Sequence, residues 1–205
     1  MAKRLFDIFA SVCGIVALSS FFLVLSLAIK QEDGGPVFYR GERIGQNGVP
    51  FRIFKFRSMV MNAEKIGGSS TADDDPRITK IGHKLRKLKL DEIPQLLNVL
   101  KGDMSLVGPR PEVRHYTDMF SEEEKAILRV RPGITDWASL WNPDEGKILA
   151  GSPDPEKTYI EKIRPTKLQL QLKYVREKNL RNDLLIIIQT LKAVVLKKSA
   201  KSLRE

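Results

Sequence analysis

The chain has 205 residues, enough for one domain with a real core. It carries 35 Lys and Arg against 25 Asp and Glu, and this +10 balance draws nucleic acid, anionic membranes or phosphorylated substrates. Cys13 is the only cysteine, which excludes a disulfide framework and a Cys-based zinc site and fits a reducing, cytoplasmic setting.

Leu5 to Ile29 is a run of 25 residues with one charge, Asp7. As a helix it would be about 37 Å long, against about 30 Å for a hydrocarbon core. It is too long for a signal-peptide core, and no small-residue cleavage site follows. Cys13 inside it reads as a small packing residue. Lys3 and Arg4 precede the run and the basic remainder follows it, so the positive-inside rule cannot keep both ends in the cytoplasm if the helix spans. Either the helix crosses and one end violates the rule, or it bends and returns to the same face. Ser19 and Ser20 stand in mid-run, where hydroxyl bonds to preceding carbonyls can bend a helix.

Gly34-Gly35-Pro36 ends the apolar run. Val37–Tyr39 and Phe51–Phe56 are short strand candidates joined through Gly45, Asn47 and Gly48, which predicts a small β-hairpin. Residues 62–76 are polar and read as a loop. Ile81, Leu85 and Leu88 share one helical face and Lys80, Lys84 and Lys87 another. Ile93, Leu96, Leu97 and Leu100 fall at i, i+3, i+4 and i+7 and predict a second helix, stopped by Gly102. Ser121 and Glu124 stand at capping-box spacing before a helix to Leu128. Residues 142–155 read as a loop, and 156–180 as helix apart from Arg164-Pro165. Leu184 to Leu196, followed by Lys197 and Lys198, is too short to span and reads as an interfacial or core helix.

Residues 90–112 concentrate the chemistry. Asp91 opens an apolar-periodic segment, and an Asp there serves as a helix cap. Glu92 can complement the helix dipole. The functional reading is a carboxylate that stays ionised near basic groups and acts as a nucleophile or holds Mg²⁺. Arg110 lies between Pro109 and Pro111, and a guanidinium on so stiff a segment suits bidentate phosphate recognition or a structural salt bridge. Lys55 and Arg57 lie two apart on a strand candidate and so face one side. With Arg86, five residues before Asp91, they could line an anion site. No Walker loop, GxGxxG, Ser/His/Asp set or metal-cysteine cluster is present. Nucleic acid as a partner would explain the lysine face but not the apolar run.

Several blocks in order resemble one family, the bacterial sugar transferases, monotopic phosphoglycosyl transferases that start membrane glycan assembly. They are KRLFD at 3–7, GPVFYRGERIG at 35–45, PFRIFKFRSM at 50–59, DPRITKIGHKLRK at 75–87, LDEIPQLLNVLKGDMSLVGPRPE at 90–112 and VRPGIT at 130–135. The resemblance implies an α+β, mainly helical fold with a re-entrant membrane helix over residues 1–30 and a catalytic domain over residues 31–205. It implies transfer of a sugar-1-phosphate from a UDP-sugar to polyprenol phosphate at the cytoplasmic face of the membrane, with release of UMP. Carried over, Asp91 is the nucleophile and a Mg²⁺ ligand, and Glu92 its partner in the second step. Lys55, Arg57, Arg86 and Arg110 would hold phosphates, and Arg131 and Gly133 lie near the nucleotide-sugar. The expected partners are the UDP-sugar, polyprenol phosphate and membrane lipids, with no nucleic acid and room for a homodimer. The competing readings are a polybasic membrane adaptor without activity and a Mg²⁺-dependent nucleotide hydrolase.

Two departures stand out. The family usually has Ser-Pro where this chain has Ser19-Ser20. After VRPGIT the chain runs Asp136-Trp137-Ala138-Ser139-Leu140-Trp141-Asn142-Pro143 rather than the common continuation, so the sugar does not transfer by analogy.

Overall fold

The computed structural model describes residues 1–196. The apolar run forms two helices, α1 (Ala2–Ala17) and α2 (Ser19–Asp33), bent by 62°. The break is Leu18, at φ −99° and ψ 8°. Ser19 and Ser20 come just after it, exposed, and neither hydroxyl makes a hydrogen bond among the described residues, so back-bonding from these serines is not what bends the helix. No single helix among the described residues is long and apolar enough to cross a membrane. Cys13 is exposed on α1, not packed.

Tertiary anchors at both ends account for the bend. Arg4 donates to the Val99 and Leu100 carbonyls at 2.5 and 2.9 Å, capping a helix end described below. Lys3 pairs with Asp183 at 2.7 Å. Asp7, the one acidic residue of α1 and buried, accepts from Ser105 Oγ at 2.8 Å and the Leu106 amide at 3.2 Å. At the other end Gly34 closes α2 at φ +71°, a left-handed cap that glycine adopts without strain. Asp33 there pairs with Arg57. A straight helix could not satisfy both sets of contacts on one body.

The expected hairpin forms as two stacked antiparallel ladders. Strand β1 (Phe38–Tyr39) pairs β4 (Lys55–Phe56), with Phe38 opposite Phe56; β2 (Glu42–Ile44) pairs β3 (Pro50–Arg52). Phe56 joins Ile29 and Leu85 in a core that also takes Phe22 and Leu25, which seats α2 on the hairpin. After one-turn α3 (Ala63–Ile66) comes α4 (Lys80–Lys87), capped by Thr79, whose Oγ1 accepts from Gly82 N at 3.0 Å. A 3₁₀ turn at Leu90–Glu92 leads into α5 (Gln95–Lys101), the second expected helix.

Strand β5 (Ser105–Val107) pairs in parallel with β6 (Gly133–Thr135), a contact the sequence pattern did not announce. Between them lie α6 (Arg114–Thr117) and a 3₁₀ turn at Glu124–Arg129. The capping box there is reciprocal: Ser121 N donates to Glu124 Oε2 at 2.8 Å and Glu124 N to Ser121 Oγ at 3.2 Å. Then follow α7 (Trp137–Trp141) and α8 (Glu145–Leu149), the latter inside the span expected as loop. After α9 (Pro155–Thr158), a π turn at Tyr159–Ile163 runs into α10 (Arg164–Glu177). Pro165 stands in the first turn of α10, where its missing N–H is tolerated, so it opens that helix and does not break one. Finally α11 (Leu180–Leu196) packs Ile186 against Val107, Leu140 and Tyr174. Lys197 and Lys198 lie outside the described residues.

The mainly helical α+β architecture with small sheets agrees with expectation. Asp7→Ala removes a buried, charge-assisted acceptor of two hydrogen bonds and is expected to cost about 1.5–3 kcal/mol, read by denaturant unfolding in detergent.

Candidate active site

Asp91 does not cap a helix. It sits within the 3₁₀ turn, while Lys89 precedes that turn at φ +56° and Pro94 occupies the cap position of α5. A lysine in the left-handed region is backbone strain of the kind found at functional turns. Lys89 Nζ lies 3.8 Å from Asp144, just ahead of α8.

Glu92 is held from two sides. Lys55 Nζ donates to its Oε1 at 2.9 Å. Arg110 grips both of its oxygens, with Nη1 at 3.0 Å from Oε2 and Nη2 on Oε1. Burial alone would raise the Glu92 pKa, but Arg110 and Lys55 outweigh it and keep the carboxyl ionised well below its ordinary range. Arg110 in turn is held protonated chiefly by Glu92.

Asp91 is the contrast. It is 6% exposed, and its carboxylate has no hydrogen-bond or ion-pair partner among the described residues. Burial first, and then Glu92, push its pKa up; Lys55, Arg86 and Arg110 pull the other way. Arg86, half-buried at the end of α4, has no ion pair within 4 Å among the described residues, which leaves it free for an anion. The site is therefore one ungripped carboxylate, one gripped carboxylate and three cations.

Local structure brings these groups together. Asn98 on α5 is fully buried, accepts from the Phe54 amide at 2.8 Å and donates to the Arg52 carbonyl at 2.9 Å, which fixes β4 and so Lys55 against the Asp91 turn. Sequence reasoning missed Asn98; a lone Asn on an otherwise apolar helix face was its only signal. Arg110 is fastened through its backbone. Gly133 N donates to the Pro109 carbonyl at 2.9 Å, and Ile44 N to the Glu112 carbonyl at 2.9 Å. A Cβ on Gly133 would lie 2.0 Å from Gly108 N, so only glycine permits this approach.

Three expected site residues lie elsewhere. Arg57 is buried against Asp33, with Nη1 2.6 Å from Oδ2, and also donates through Nε to the Pro36 carbonyl at 2.6 Å. The Arg57 guanidinium holds the Asp33 pKa down at about 2. The alternation argument fails because β4 ends at Phe56 and Arg57 has already left the strand. Arg131 is exposed and donates to the Gly102 carbonyl at 3.0 Å. Gly133 stands behind Arg110 as a packing position.

Among the described residues no three His, Cys, Asp or Glu side chains gather as a metal site. The ungripped Asp91 nevertheless suits Mg²⁺, which takes one or two carboxylates and completes its shell with substrate phosphates and water.

Residues 1–197 match the family model described as bacterial sugar transferase. The chain belongs to that family. It is 38% identical, over 94% of its length, to a UDP-N-acetylgalactosamine-undecaprenyl-phosphate N-acetylgalactosaminephosphotransferase of Aeromonas hydrophila, and spans 43% of that relative. It is 34% identical, over 98% of its length, to the exopolysaccharide production protein ExoY of Sinorhizobium fredii, and spans 88% of it. An undecaprenyl-phosphate glucose phosphotransferase of Komagataeibacter xylinus is 38% identical over 98% of this chain, which spans 37% of it. The chain thus matches relatives both near its own length and more than twice as long.

Arg57→Met separates anchoring from phosphate binding. Asp33 is about one-third exposed and can rehydrate, so the expected stability loss is about 3 kcal/mol, the low end for a broken buried pair. Turnover per folded molecule should stay within about threefold, where loss of a phosphate donor would cost about 100-fold.

Proposed function

We propose that this protein transfers a sugar-1-phosphate from a UDP-sugar to polyprenol phosphate. The observation that carries the reading is the buried, unpartnered Asp91 carboxylate facing Lys55, Arg86 and Arg110. A carboxylate kept for structure alone would be paired, as Glu92, Asp33 and Asp7 are.

In the first step an Asp91 oxygen attacks the β-phosphorus. The bond from that phosphorus to the bridging oxygen breaks, and UMP leaves with the electron pair. The product is a phosphosugar held on Asp91 as an acyl phosphate. In the second step an oxygen of polyprenol phosphate attacks the same phosphorus, forms the polyprenyl diphosphate sugar and frees Asp91. Lys55, Arg86 and Arg110 neutralise the phosphoryl oxygens in both steps. As Lys55 and Arg110 turn toward phosphate, Glu92 loses the charges that keep it acidic and becomes fit to take a proton from the lipid phosphate. Asp91 would hold Mg²⁺, which supplies further charge neutralisation on the diphosphate.

The bent α1–α2 pair fits re-entry from one membrane face. Both of its ends are tied to the catalytic body, through Lys3, Arg4 and Asp7 on one side and Asp33 on the other. Leu5, Phe9, Val16, Phe21 and Val24 are exposed along it, and Leu184, Ile188 and Leu191 along α11. Such a surface suits the bilayer interface. That face is the cytoplasmic one, since Lys3, Arg4 and the basic remainder share it. The relatives above bear names for different sugars.

Incubation with labelled UDP-sugar and Mg²⁺, before lipid is added, should label the protein and release UMP. Asp91→Asn should abolish both, and full turnover by that variant would sink the nucleophile assignment. The adaptor reading predicts no nucleotide release, and the hydrolase reading full rate with water alone. Because the folded state raises the Asp91 pKa, its stabilising contribution is complete below 3.8 and lost as pH rises through the folded value. The permanently neutral Asp91→Asn should therefore melt higher than wild type at pH 7, by about 2–4 °C for each kcal/mol gained. The difference should shrink as pH falls below the ordinary carboxylate range. The acid limb of the wild-type rate profile should lie above that range, since the ionised Asp91 attacks.

A further inference from the structure

Beside Arg110 lies a second buried charge cluster that the transfer chemistry does not use. Lys167 on α10 points its Nζ at Glu112 Oε1 (2.7 Å), Glu145 Oε1 (3.2 Å) and the Tyr159 hydroxyl (3.1 Å). The Tyr159 hydroxyl donates to Glu112 Oε1 at 3.0 Å. Burial would pull the Lys167 pKa down, but Glu112 and Glu145 outweigh it and keep the ammonium charged. Both carboxylates also act on Arg110: Glu145 helps keep the guanidinium protonated, and Arg110 helps keep Glu112 ionised.

The arithmetic of charge here is uneven. One ammonium faces two carboxylates, so the cluster holds one negative charge in excess beside the arginine that must receive phosphate. The two carboxylates differ in freedom. Glu112 is pinned by Tyr159, by Lys167 and by its own backbone carbonyl. Glu145 is 35% exposed, sits on the one-turn helix α8, and is held by Lys167 alone. Its second oxygen has no partner among the described residues. Released from Lys167, that carboxylate would be drawn to the Arg110 charge and would add to the Glu92 charge that phosphate has to displace.

We propose that Lys167 is a positioning residue that holds Glu145 off Arg110, so that an incoming diphosphate has only Glu92 to displace from the guanidinium. This rests on the transferase reading above. It predicts a defect in substrate binding, because the carboxylate competes with phosphate before chemistry begins.

The experiment compares wild type, Lys167→Met, Lys167→Arg, Glu145→Gln and the double variant Lys167→Met/Glu145→Gln. The assay is UMP release, with the UDP-sugar that wild type turns over fastest, and thermal melting monitors folding. Lys167→Met should raise KM about tenfold or more while kcat changes less than about threefold, a loss of ground-state affinity. Lys167→Arg should recover most of it, since the cation is kept. In the double variant the competing charge is gone, and KM should return to within about threefold of wild type although the lysine is still missing. Calorimetric binding of UDP should follow the same order. An unchanged KM in Lys167→Met, or a double variant no better than Lys167→Met, overturns the proposal, because a merely structural lysine would move the melting temperature and leave KM in place. If Lys167→Met does not fold, the double variant decides: a KM within about threefold of wild type supports the proposal and a rise of about tenfold or more refutes it. Failure of wild type to release UMP from any UDP-sugar would refute the transferase reading itself, a result independent of Lys167.

Discussion

The site depends on the double grip of Lys55 and Arg110 on Glu92. Two adjacent buried carboxylates repel each other, and only one of them is compensated by direct contact. Because Glu92 takes both cations, Asp91 is left ungripped within their field, buried and without a partner among the described residues. A carboxylate in that state is a better nucleophile than one locked in a salt bridge, and it raises the folding cost of the protein. Lys55 and Arg110 hold Glu92 in this structure, and under the proposed function they would join Arg86 in meeting the charge of a diphosphate.

The grip needs three distant stretches to meet. Asn98 fixes the hairpin, and with it Lys55, to α5. The close approach of Gly108 and Gly133 fixes the Pro109–Pro111 segment, and with it Arg110. The α1–α2 pair is tied to the same framework, since Arg4 caps α5 and Asp7 binds β5. The α1–α2 pair and the Asp91 turn are therefore one mechanical unit. Under the proposed function this would suit an acceptor in a bilayer and a donor dissolved in water.

Much of the fold was legible. Periodicity located α4 and α5, glycine and asparagine located the hairpin, and Ser121 with Glu124 located a capping box that forms as expected. The acid pair and Arg110 were visible as residue types whose pairing suits phosphate. The misreadings share one physical origin. Arg57 was placed by strand alternation, but the strand stops at Phe56 and the guanidinium turns to Asp33. The helix break was placed at Ser19-Ser20, but anchors at both ends set it at Leu18. Residues 142–155 were rich in proline and glycine, yet they contain α8, which carries Glu145 against Lys167.

The sequence by itself determined the local elements, the basic balance, the apolar run and the family, because these follow from composition, periodicity and ordered motifs. It could not decide which charges meet. Tertiary structure decided that Glu92, and not Asp91, is gripped. It made Arg57 an anchor, left Arg86 without an ion pair among the described residues, and joined Glu112, Glu145 and Lys167 beside Arg110. Each of those outcomes turns on distances of a few ångströms between residues far apart in the chain, and Coulomb energy at low dielectric changes steeply over such distances.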